Sequence, residues 1–102
     1  MQKNNVKFEI LQLSTSEDFK PYLFVGYDYA SKKGFNLSHY KKVYEGVVDI
    51  EKSVNNTLEE LFIRFNCHLP SDFKGHSLST SDVIKLGNHS YYCDSIGWVQ
   101  VD

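Results

Sequence analysis

Arginine occurs once in this sequence, at Arg64, and the formal net charge is only -2. So weak a charge gives no long-range pull toward phosphate backbones, and arginine supplies most bidentate base and phosphate contacts. A nucleic-acid reader is therefore not expected, and the acidic excess is too small to imitate a DNA surface. Glycines number six and are scattered, with none ahead of the 57–66 helix, so nucleotide binding through a glycine-rich phosphate loop is not expected. Cysteine occurs twice, at Cys67 and Cys93, which makes neither a disulfide framework nor a CxxC redox pair. Nothing resembles a signal peptide, since Met1-Gln2-Lys3-Asn4-Asn5 leads into an alternating segment. No apolar run approaches the roughly 20 residues that span a bilayer. The expectation is a cytoplasmic protein, away from membranes, with both cysteines as reduced thiols.

What is present fits one α+β domain over residues 1–102. Hydrophobic residues make up 41% of the chain and aromatics 15%, with seven Tyr and seven Phe. Val6, Phe8 and Ile10 alternate with Lys7 and Glu9, the period of a half-buried strand, and the phase changes at Leu11 and Leu13, as at a bulge or a fully buried end. Tyr22 to Val25 reads as a short strand, and Tyr27 to Lys33 as a brief helix closed by Gly34. Tyr40 to Ile50 reads as another strand. Leu58, Leu61, Phe62 and Phe65 then form one apolar stripe at helical spacing over about 57–66. Asn56 or Thr57 is the expected cap, with Glu60 completing a capping box and pairing forward with Arg64. Ser71 to Thr80 is a loop that turns tightly at Lys74-Gly75-His76. Ser81 to Leu86, Tyr91 to Asp94 and Trp98 to Val101 make a C-terminal β-meander, turning at Gly87-Asn88-His89-Ser90 and Ser95-Ile96-Gly97. The expected fold is a small antiparallel sheet packed on one main amphipathic helix.

The densest polar run is Gly75-His76-Ser77-Leu78-Ser79-Thr80-Ser81-Asp82. A small hydrolase using His76 with Asp82 or Asp94 is one reading of it. Yet the Gly-x-Ser-x-Gly elbow is missing, and short polar side chains at strand entries commonly satisfy backbone groups in turns. Zinc held by Cys67, His68, His76 and Cys93 is a second reading. The adjacent Cys67 and His68 are poorly placed to grip one ion together, and a buried thiol with surface imidazoles explains the set more simply. The paired carboxylates Glu17-Asp18 and Glu59-Glu60 suit a solvated face. No catalytic residue, metal or cofactor is expected. Aromatics are the remaining resource, and Tyr91 and Tyr92, adjacent on a strand, face opposite ways. The residues assigned to partner binding are Tyr40, His76, Tyr91, Tyr92 and Trp98.

Three stretches carry a resemblance: Thr57 to Asn66, an amphipathic helix ending in Phe65-Asn66; Leu69 to Val83, around Gly75-His76-Ser77-Leu78-Ser79; and Tyr91-Tyr92-Cys93-Asp94-Ser95-Ile96-Gly97-Trp98. They resemble the YodL-like domain, found in proteins of bacterial plasmids and integrative conjugative elements, chiefly of Firmicutes. Val43-Tyr44-Glu45-Gly46 also fits, and the first 35 residues match loosely. The resemblance implies no enzymatic activity or cofactor. It implies mobile-element cargo, whose small proteins often antagonise host defence in the manner of anti-CRISPR and antirestriction proteins. On that footing the expected partner is a protein, such as a CRISPR effector or another host nuclease blocked at its surface. The alternative is an accessory module for plasmid maintenance or conjugation.

Overall fold

A computed structural model describes residues 5–13, 25–32, 34–50, 53–67, 69–73, 75 and 77–101. Five strands, β1 (Asn5–Leu13), β2 (Tyr40–Asp49), β3 (Val83–Leu86), β4 (His89–Cys93) and β5 (Trp98–Gln100), form one sheet in the order β2-β1-β3-β4-β5. Every pairing is antiparallel, so the chain is a small α+β fold. Helix α1 (Tyr27–Lys32) and a 3-10 turn (Leu37–His39) lie between β1 and β2, and α2 (Val54–Cys67) follows β2. Tyr22 to Phe24, expected as a strand, falls outside the described residues, and Val25 is not in a strand.

Alternation along the strands divides the core in two. Phe8, Ile10, Ile84 and Leu86 point to the face covered by Leu58, Leu61 and Phe65 of α2. Val83 and Tyr92 point the opposite way and pack with Ala30 of α1, with Leu11, Phe35, Leu37 and Tyr40 around them. The change of phase at Leu11 thus has its cause: near that end both sheet faces are covered. A register shift accompanies it, but the extra residue lies in β2, where Val43 is inserted between Tyr44, opposite Ile10, and Lys42, opposite Leu11.

The apolar stripe of α2 is as expected, whereas its start is not. Ser53 caps the helix, its Oγ accepting from the Asn56 N–H at 3.1 Å, and Thr57 lies inside, its hydroxyl donating to the Ser53 carbonyl at 3.1 Å. Capping at Ser53, four residues upstream of Thr57, adds one exposed turn to the helix and leaves the capping box unused. Arg64 lies over the Phe65 ring, 5.2 Å from its centroid, with no ion pair to Glu60. The meander is also tighter than expected. Its first hairpin turns on Gly87-Asn88 alone, because His89 already pairs with Leu86. β3 begins at Val83, since Ser81 has φ +88 and cannot extend the strand.

The Gly75–Asp82 segment ties these layers together. The Leu78 N–H donates to the Phe65 carbonyl at 3.0 Å, and Asn66 Nδ2 to the Leu78 carbonyl at 2.7 Å, which holds the end of α2. Asp82 is fully buried, its Oδ2 accepting from Gln12 Nε2 of β1 at 3.0 Å and from the Ser79 N–H at 2.9 Å. The Ser81 N–H donates to the Cys93 carbonyl at 2.9 Å, and the Cys93 N–H returns to the Asp82 carbonyl at 2.8 Å.

Gly75 closes against this network. A Cβ there would collide with the Gln12 amide oxygen and stand 3.1 Å from Val43 Cγ2. Gly75→Ala is therefore expected to cost about 1–3 kcal/mol by overpacking, measured as a lower urea midpoint. Asp82→Ala is expected to cost about 1–3 kcal/mol for each buried group left without its partner, Gln12 and the Ser79 N–H among them.

Candidate functional site

The site is built by the turn that follows β4. The Asp94 N–H donates to the Gly97 carbonyl at 3.0 Å. Asp94 Oδ1 accepts from the Ser95 N–H at 2.8 Å and from the N–H of Tyr27, first residue of α1, at 3.0 Å. One carboxylate oxygen thus closes its own turn and caps a helix from a distant part of the chain. Gly97, at φ +76, takes the left-handed conformation that closes the bend. At its tip stands Ile96, 91% exposed.

Between this turn and α2 lies an open cleft of about 200 Å³ lined by Glu59, Phe62, Cys93, Asp94, Ser95, Gly97 and Trp98. Phe62 and Trp98 meet edge to face, with centroids 6.3 Å apart and planes at 79°. Cys93 sits beneath, 4% exposed. Burial is the chief cause that pushes its thiol up to about 12, and the carboxylates of Asp82, Glu59 and Asp94 add to it. At neutral pH the group is a thiol, which is a poor nucleophile and a poor metal ligand. Among the described residues, neither Glu59 nor Asp94 has a cationic partner.

The residues assigned to partner binding do not form one cluster. Tyr91 and Trp98 are half-buried on the α2 side of the sheet. Tyr92 lies opposite and is fully buried, with its hydroxyl donating to the Val25 carbonyl at 2.6 Å. It is a core residue with no surface to offer a partner. Tyr40 shares that second core, its ring 5.7 Å from Phe35 and its hydroxyl donating to the Ser81 carbonyl at 2.6 Å. Burial raises both hydroxyls far above the ordinary phenol range. His76 lies outside the described residues, as does His68. Cys67 is exposed at the end of α2. Among the described residues, no three of His, Cys, Asp or Glu gather closely enough for a metal ion.

Sequence reasoning missed Glu59, Phe62, Asp94 and Ile96 as a group, because the cleft joins segments far apart in the chain. One signal was available: an isoleucine inside an Asp-Ser-x-Gly turn, where polar residues are the rule.

The family model described as the YodL-like domain matches residues 7–102, taking in β1, where the sequence showed only a loose likeness. No curated protein and no solved structure matches the chain.

Thiol labelling checks the buried cysteine. The native protein is expected to react rapidly at Cys67 alone, and Cys93 only in denaturant. Folding holds Cys93 protonated against an ordinary value of 9.0, so its share of stability is complete below that pH and is lost as pH climbs toward about 12. Urea titrations across that window are expected to show a decline that Cys93→Ala reduces.

Proposed function

The chain belongs to the YodL-like domain family, and on that premise we propose that it is a non-catalytic protein that binds a macromolecular partner through the face made by Phe62, Ile96 and Trp98. In this reading it is the cargo of a mobile genetic element, acts in the cytoplasm, and blocks the surface of a host defence nuclease of the CRISPR or restriction type.

The observation that carries the reading is the exposure of Ile96. An isoleucine 91% open to water gains nothing from folding. Yet the turn beneath it is fixed by a left-handed glycine and three hydrogen bonds of Asp94, one donated by its N–H and two accepted by its carboxylate. An apolar tip on a fixed turn beside a half-buried tryptophan has the form of a binding hot spot, because the backbone beneath it has little entropy left to lose on docking. The groups with catalytic promise are engaged elsewhere. Asp82 is fastened to Gln12 and Ser79, Asp94 caps α1, and Cys93 stays protonated. These engagements weigh against a hydrolase built on His76 with Asp82 or Asp94. No helix among the described residues is long and apolar enough to cross a membrane.

Two measurements test the proposal. Added to guide-loaded nucleases, the protein is expected to slow target cleavage by at least one effector. An unchanged rate across effectors would turn the reading to the accessory module of plasmid maintenance or conjugation. Ile96→Ser is expected to weaken partner binding by roughly 30-fold, the size of a hot-spot loss, with no change in melting temperature. Equal binding by that variant would remove this face from the proposal.

A further inference from the structure

The cleft beside Ile96 has a chemistry of its own. Two of its walls are aromatic, Phe62 and Trp98, and two of its lining residues carry carboxylates, Glu59 and Asp94. Asp94 Oδ1 is occupied by the N–H groups of Tyr27 and Ser95, while its Oδ2 takes no hydrogen bond among the described residues. The only arginine of the chain, Arg64, lies over the Phe65 ring and forms no ion pair with Glu59 among the described residues. The cleft therefore joins aromatic rings, a residue type that attracts cations, to carboxylates with no cationic partner among the described residues.

Resting on the docking role argued above, we propose that this cleft receives one arginine side chain of the partner protein. The guanidinium lies against the Trp98 indole and pairs with Glu59 and Asp94. A flat guanidinium stacks on an aromatic face and offers a fork of donors to carboxylate, whereas the ammonium of lysine is a hydrated point charge that does neither as well. The cleft, at about 200 Å³ and open on one side, has room for one such head and its last methylenes. Nucleases line their nucleic-acid channels with arginine to neutralise phosphate, so a blocker with a single local acid cleft can engage them without the heavy overall acidity that this chain lacks.

Two other surface features are already satisfied. On the open part of the sheet, near Lys85, Lys7 pairs with Glu9 at 3.6 Å and with Glu45 at 3.8 Å, so opposite charges already meet there. The long edge strand β2 carries Lys41, Lys42, Glu45 and a bulge, features that discourage strand addition.

Trp98 is the only tryptophan, so its fluorescence reports directly on the cleft. Titration with N-acetylarginine methylamide is expected to give a saturable change, weaker with the lysine analogue and absent with the uncharged norleucine analogue. Glu59→Gln and Asp94→Asn are each expected to weaken binding about two- to fivefold, as for a partly exposed charge contact, and added salt to weaken it further. Asp94→Asn keeps a carbonyl oxygen for the Tyr27 and Ser95 N–H groups, so the turn and α1 stay capped. An equal response to norleucine, or no effect of either substitution, would overturn the proposal. Partner binding lost in Ile96→Ser but unaltered in Glu59→Gln and Asp94→Asn would also overturn it while leaving the docking role standing. Charge-dependent arginine binding with no partner binding that depends on Ile96 would support the cleft and remove the docking role.

Discussion

A buried carboxylate fixes this fold. Asp82 is fully sequestered, and a polar group so placed is tolerable only when hydrogen bonds replace its water. Those bonds come from Gln12 on β1 and from the Ser79 backbone. The backbone of Asp82 meanwhile takes the Cys93 N–H of β4, and its neighbour Ser81 takes the Tyr40 hydroxyl at the start of β2. One short segment therefore reaches three strands. The Gln12 bond requires β1 to lie beside the entry to β3, in keeping with the place of β1 between β2 and β3 in the sheet.

The same segment decides where the candidate site stands. Leu78 and Asn66 hold the end of α2, while Ser81 and Asp82 hold the end of β4. The cleft lies between those two elements, with Glu59 and Phe62 on one side and Cys93 to Trp98 on the other. Its width is thus a property of the Gly75–Asp82 segment, though no described residue of that segment lines it. A polar run that looks catalytic in sequence can be scaffolding by this route, since serine and aspartate suit backbone satisfaction as well as chemistry.

Features set by local periodicity were legible in the sequence. The stripe of α2, the alternation of β1, the short helix before Gly34 and the Gly87-Asn88 turn all answer to neighbours within a few positions. Those set by tertiary choice were not. Ser53 and Thr57 are both good caps, and the structure uses Ser53, with Thr57 turned inward and bonded back to the Ser53 carbonyl. Alternation placed Tyr91 and Tyr92 on opposite faces, but could not tell which would be covered. The layer holding α1 and Phe35 buried Tyr92 and left Tyr91 at the margin. Trp98 was singled out for partner binding by residue type alone. Phe62 was read as one member of a helix stripe, and Asp94 as half of a possible catalytic pair, because each has a role that only the assembled cleft reveals.

The division of labour within the Asp94–Gly97 turn argues for where specificity resides. Asp94 is constrained by its bonds to Tyr27 and Ser95, and Gly97 by its positive φ. Ile96 is constrained by nothing inside the protein, since 91% of its surface faces water. A side chain on which the fold makes no demand can change at little cost in stability, so its identity is open to selection by a partner. In the proposed docking the turn is a fixed mount for that tip, and the aromatic and acidic cleft beside it supplies the charge-selective contact.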